Sequence, residues 1–178
     1  MTQPELIKAC KQNNLKAQMH VYQQYKNMLY NASFRIVKNQ HDAQDAVHDA
    51  FIKAFQNIAT LEKDLNLGAW LKRIVVNCSL DFLRKKKKLG WLQDVTTFLE
   101  EEEDTTVYED ISFKIKEVKK ALNGLKDKYR IIIVLYLIED YSHKEIAQQL
   151  GLNESTVRNQ YIRGKRLLQQ QLQNKIVS

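Results

Sequence analysis

Proline occurs once, glycine five times and cysteine twice in 178 residues, and each scarcity removes a class of answer. With so few turn formers the chain does not read as a turn-rich β architecture. Cys10 and Cys78 have neither disulfide-framework nor zinc-ligand spacing. Cys78 falls on an apolar helical face, the place of a small core residue. No apolar run approaches the roughly 20 residues that a membrane span needs, and the N-terminus lacks a signal-peptide pattern. These absences point to a soluble, cytoplasmic protein with no membrane insertion. No Ser-His-Asp set, phosphate-cradling glycine loop or pair of catalytic acids can be assembled. Neither an enzyme nor a cofactor is expected.

What is present is apolar residues at 44%, enough for packed cores, and a net charge of +7 with a pI near 9.3. A basic balance implies an anionic partner. The distribution says more than the total. Residues 1–90 carry 15 Lys and Arg against 7 Asp and Glu; residues 91–111 carry none against 8; residues 112–178 carry 13 against 6. Two basic blocks around an acidic strip predict two modules, 1–88 and 112–178, joined by a flexible acidic linker over 89–111. The periodicity is helical throughout, so the expected fold is all-α, two small helical domains.

The most informative stretch runs from Tyr141 to Arg166. Ser142 and Glu145 form a capping box that opens a helix, Gly151 ends it in a left-handed turn, and Asn153 can cap the next. Ile146, Ala147 and Leu150 can then meet Val157 and Tyr161 across the turn. This is a helix-turn-helix, whose second helix enters the DNA major groove. Ser155, Arg158, Asn159, Ile162, Arg163 and Arg166 recur at spacings of three and four and share one face. Arg can pair with guanine, Asn with adenine, and Ile can touch a thymine methyl. Thr156 lies beside this face. Lys165 and Arg166 stand further along, suited to phosphates. The bland alternative is an amphipathic helix with a solvated basic face.

Upstream, helices are predicted over 4–11, 15–38, 42–58 and 67–88, with a polar loop at 59–66 and a break at Asn39 and Gln40. The third would bury Ala43, Val47, Ala50, Ala54 and Ile58. The fourth would bury Trp70, Leu71, Ile74, Val75, Cys78 and Phe82. It ends in Arg84 and four lysines, which suit a helix C-terminus. Downstream, Ile111, Ile115, Val118 and Leu122 form one stripe that Gly124 stops. The run at 131–135 favours a strand by propensity, but its helical surroundings predict a buried helix over 127–138.

Two constellations could carry chemistry. His41-Asp42 and His48-Asp49 repeat a pair seven residues apart, a spacing that can hold a divalent metal and serve a phosphohydrolase. No third ligand cluster stands elsewhere, so a solvated face or an acidic docking surface fits better, and no metal is expected. Aromatic and basic residues interleave at Lys53, Phe55, Asn57, Lys63, Trp70, Arg73, Asn77, Arg84 and Lys85, a mixture able to stack unpaired bases and track phosphates. At this spacing Phe55 and Trp70 are more often plain helical core.

Taken together, the chain resembles the extracytoplasmic-function group of bacterial RNA polymerase sigma factors, the short kind with regions 2 and 4 only. Residues 42–51 resemble the region 2 helix that docks on polymerase. Trp70-Leu71-Lys72-Arg73-Ile74-Val75-Val76-Asn77, with Asp81 and Arg84, resembles the helix beside the −10 strand, and Tyr141 to Arg166 resembles region 4. The resemblance implies a transcription initiation factor that binds core RNA polymerase, at the β′ clamp and β flap, as a monomer on promoter DNA. Asp42, Gln44, Asp45 and Asp49 would dock on the clamp. Phe55, Asn57, Lys63, Asn77, Arg84 and Lys85 would serve the −10 strand, and the recognition-helix residues the −35 duplex. An anti-sigma factor is implied as a further partner. Gly164 stands where the family often has Ala, a change that costs a helix about 1 kcal/mol. The rivals are a dimeric helix-turn-helix regulator on a palindromic site and the metal phosphohydrolase.

Overall fold

The first unit, Met1–Lys88, winds four helices: α1 (Gln3–Lys11), α2 (Leu15–Val37), α3 (Gln40–Asn57) and α4 (Leu67–Lys87), with a 3-10 turn at Ile58–Thr60. The structure, a computed structural model, describes residues 1–62, 65–87 and 111–176. Each early helix starts on a side-chain cap. The Thr2 amide donates to Glu5 Oε2 at 2.7 Å, Asn14 Oδ1 accepts from the Ala17 amide at 3.1 Å, and Asn39 Oδ1 accepts from the Asp42 amide at 3.0 Å. The break between α2 and α3 lies one residue earlier than expected. Lys38 turns the chain in the left-handed region (φ 56°) and Asn39 caps, so Gln40 is already the first residue of α3.

Packing explains the small residues of α3. Ala43, Ala46, Ala50 and Ala54 are all fully buried, and their size lets neighbouring helices approach closely. Helix α4 packs on both α2 and α3. It therefore buries a wider arc than its apolar face predicts: Val76, Leu80 and Leu83 as well as Leu71, Val75 and Cys78. Trp70, Ile74 and Phe82 stay half-buried at the margin. The polar pair inside this core is satisfied. The Ser33 and Ser79 hydroxyls lie 2.7 Å apart, and Ser79 Oγ donates to the Val75 carbonyl at 2.7 Å. Lys11 Nζ donates to the Leu61 carbonyl at 2.6 Å, tying α1 to the loop after α3.

The second unit, Leu89–Ser178, contains α5 (Ile111–Asn123), α6 (Asp127–Ile133), a π-turn at Val134–Ile138, α7 (His143–Leu150) and α8 (Glu154–Ile176). The acidic linker expected at 89–111 falls outside the described residues, apart from Ile111, which opens α5. All described regular structure is helical, as the all-α reading requires. The run Ile131 to Leu135 is almost wholly inaccessible, so helix neighbours on every side override its strand propensity. The expected single helix over 127–138 instead widens. The Glu139 amide donates to the Val134 carbonyl at 3.0 Å and Asp140 takes φ 58°, which reverses the chain toward α7.

The α5 stripe differs from expectation. Ala121 and Leu122 are buried, but Ile115 is 49% and Val118 44% exposed. Helix α5 packs mainly on α8, and among its described side chains burial is confined to the last turn, near Gly124 and Gln171. At Gly164, α8 meets α6 so closely that a Cβ would lie 2.9 Å from Tyr129 Cβ and 3.0 Å from Ile133 Cδ1. The glycine that looked like a cost in the sequence is what permits this contact.

Candidate nucleic-acid interface

In the second unit the helix-turn-helix is built as its local chemistry requires. The Ser142 amide donates to Glu145 Oε2 at 2.8 Å and the Glu145 amide to Ser142 Oγ at 3.1 Å. Gly151 ends α7 at φ 65°, and the Leu152 amide closes on the Ala147 carbonyl at 2.9 Å. Ile146, Ala147 and Leu150 are buried, as is Val157 of α8. Three rings add a second lock between α7, α8 and the π-turn. Tyr136 and His143 stack with centroids 4.3 Å apart, and Tyr161 tilts against both, at 4.7 and 5.3 Å.

This lock turns the other side of α8 outward. Ser155, Arg158, Asn159, Ile162, Arg163, Lys165 and Arg166 are exposed, while Thr156 is half-buried. Ile162 keeps 55% of its surface in solvent, an apolar contact among cations and amides. Arg158 Nη2 holds Glu154 Oε1 at 2.5 Å, one turn earlier on the same helix. His143 lies within reach of both charges. Burial, and secondarily Arg158, push its pKa below the ordinary value, with Glu154 opposing. Its Nδ1 is buried without a hydrogen-bond partner, which also favours the neutral ring.

In the first unit an open groove of about 350 Å³ runs between the end of α3 and the middle of α4. Lys53, Asn57, Thr60, Trp70, Ile74, Asn77 and Cys78 line it. That volume is at the lower end of small-ligand sites, roughly 300–1,000 Å³. The lining includes an indole, two amides, a hydroxyl and a cation. Asn57 Nδ2 donates to the Lys53 carbonyl at 2.8 Å, which fixes its orientation. Burial raises the Cys78 thiol pKa, with Lys53 opposing, so the sulfur side is a neutral wall.

The groove brings together Asn57 and Asn77 among the residues expected at the −10 strand. Phe55 is not part of its lining; it stacks on Phe51 at 6.0 Å and packs against the core. Lys63 lies outside the described residues. Arg84 and Lys85 are exposed two turns beyond Asn77, with Arg84 Nη1 on Asp81 Oδ1 at 2.6 Å. Sequence reasoning named Lys53 and Trp70 in a mixed cluster without choosing them, and it missed Thr60 and Ile74. Positions 70, 74, 77 and 78 share one face of α4, and apolar periodicity assigned Ile74 and Cys78 on it to the core.

Along α3, Gln44, Asp45 and Asp49 are exposed on the outer surface, whereas Asp42 is half-buried and pairs with Lys86 Nζ at 2.7 Å. Among the described residues no group of three or more His, Cys, Asp or Glu is placed to hold a metal ion.

Residues 21–89 match the family described as Sigma-70 region 2, and residues 115–168 that described as Sigma-70, region 4. The groove lies in the first match and the helix-turn-helix in the second, the arrangement of a sigma-70-type transcription initiation factor. Among relatives, the ECF RNA polymerase sigma factor SigW of Bacillus subtilis is 30% identical, covering 94% of this chain and 95% of SigW. SigV of the same organism is 32% identical over 83% of this chain and 86% of its own. The chain belongs to the extracytoplasmic-function RNA polymerase sigma factors, which direct the polymerase to promoters. Similar folds occur in RpoE bound to the anti-sigma factor NepR from Bartonella quintana (TM-score 0.61, 23% identity, 89% and 98% of the two chains) and in CnrH bound to the cytosolic domain of CnrY (0.56, 22%, 96% and 97%). No described helix is long and apolar enough to cross a membrane.

Proposed function

We propose that this sigma factor captures an unpaired −10 base in the α3–α4 groove, reads the −35 duplex with α8, and docks on core polymerase through the outer face of α3. The observation that carries the reading is the groove, whose lining includes Trp70, Asn57, Asn77, Thr60 and Lys53. An indole can stack on any base and amides can bond its edges. Each stacked base contributes about 1–3 kcal/mol, comparable to the few kcal/mol that flipping costs. Arg84 and Lys85, further along α4, would follow the strand's phosphates.

Asp45 and Asp49 present carboxylates to solvent and would meet a basic clamp helix of β′. Gln44 flanks them, and Asp42 would have to share Lys86 with its partner. On α8, Arg158, Asn159, Ile162 and Arg163 are the base readers, with Ser155, Thr156, Lys165 and Arg166 on the backbone. Region 4 would also rest on the β flap. The anti-sigma factor NepR bound to RpoE suggests a partner of that class for this chain, which would act in the cytoplasm.

The test is in-vitro transcription with purified core polymerase, with permanganate probing of the opened strand. Defined transcripts and opened −10 thymines are expected from the wild type. Asn77→Ala should retain polymerase and −35 binding but lose opening. Unchanged opening in Asn77→Ala would refute base capture in the groove.

A further inference from the structure

Glu154 is the first residue of α8, the end of the recognition helix that would point into the DNA. A carboxylate suits the positive end of the helix dipole, and Glu four residues before a cation is the favourable order. Both effects are small at an exposed helix start, and the pair itself is exposed, Arg158 at 61% and Glu154 at 40%. Exposed pairs contribute little to folding. Against a polyanion, meanwhile, a carboxylate at the leading edge works against affinity. Its position makes sense through what it does to Arg158.

We propose that Glu154 is a positioning residue that sets sequence discrimination: it orients Arg158 toward base edges and disfavours its use on phosphate. The inference rests on the reading of α8 as the −35 helix. The pair engages Nη2 of Arg158 at 2.5 Å. A guanidinium has five donors in a planar fork, so donors on Nη1 and Nε remain to meet guanine while Glu154 stays in place. A guanine edge is uncharged and leaves the carboxylate tolerated. A phosphate is different: turning Arg158 to it exchanges one anion for another and leaves Glu154 facing the backbone unpaired. The two partners are thus separated by a repulsive element as well as an attractive one. His143 senses both charges and is kept toward its neutral form by burial; the cation paired with Glu154 is Arg158.

The test uses the full chain assembled with core polymerase, on a promoter duplex selected from a random pool by the wild-type complex. A copy with scrambled −35 bases serves as the non-specific duplex. Glu154→Gln should bind the scrambled duplex more tightly and lower the specific-to-scrambled ratio by about threefold or more, within the discrimination a single base pair supplies. If Glu154 acts through Arg158, the double variant Glu154→Gln/Arg158→Ala should have the ratio of Arg158→Ala alone. An unchanged ratio in Glu154→Gln, or losses that add in the double variant, would overturn the proposal. If Arg158→Ala itself leaves the ratio unchanged, the −35 role of Arg158 falls first and takes this inference with it.

Discussion

Replacing Gly164 by alanine sets two effects of comparable size against each other, and the contact geometry decides between them. In an isolated helix the change would stabilise by about 1 kcal/mol, since glycine has more backbone freedom to lose. In α8 the new methyl would stand 2.9 Å from Tyr129 Cβ and 3.0 Å from Ile133 Cδ1. Ile133 Cδ1 ends a flexible side chain and can turn away. Tyr129 Cβ is fixed to the α6 backbone, so relief requires α6 and α8 to part by several tenths of an ångström. Overpacking of this kind costs typically 1–3 kcal/mol, and parting the helices also loosens contacts around Ile131 to Leu135. The net expectation is a loss of about 1 kcal/mol, or a melting point lower by roughly 4–8 °C for a domain of this size. Thermal unfolding of the full chain by circular dichroism gives the shift. Hydrogen exchange should show the loss of protection in α6 and α8, with α2 to α4 unaffected. A melting point raised by several degrees would mean that helix propensity governs the site, and the close-approach argument would be wrong.

Charge reversal at the exposed pair, Asp45→Lys/Asp49→Lys, should abolish co-elution with core polymerase while leaving thermal stability within about 0.5 kcal/mol, as expected of surface changes; intact co-elution would move docking elsewhere. His143 gives a pH dependence with a definite sign. Its folded pKa lies below the ordinary value near 6.5, so its contribution is fully present above that value and is lost as pH falls through it toward the folded pKa. Denaturant unfolding of wild type and His143→Gln between pH 8 and pH 5 should show a steeper acid-side loss in the wild type, and parallel curves would contradict the burial assigned to the ring. Ser33→Ala should cost about 0.5–1.5 kcal/mol of stability, the net contribution of one hydrogen bond, because Ser79 Oγ keeps its bond to the Val75 carbonyl; the loss is read as a lower urea midpoint.

Much of this protein is determined by local sequence. Capping depends on residues three apart, so Ser142 with Glu145 marks a helix start without knowledge of the rest. Gly151 marks a left-handed turn for the same reason. The outward stripe from Ser155 to Arg166 follows from the helical repeat alone. Tertiary structure decided everything that depends on which elements meet. Ile115 and Val118 share an apolar face with Leu122, yet they stay exposed because, among the described side chains of α5, only those of the last turn are buried. Trp70, Ile74 and Cys78 read as core, yet they also wall a groove because α4 passes the end of α3 there. Phe55 carried the same aromatic signal and went to the core instead. Gly164 looked unfavourable until Tyr129 was placed beside it. Periodicity reports which residues share a side of a helix, whereas burial depends on what stands opposite, and only the folded chain supplies that.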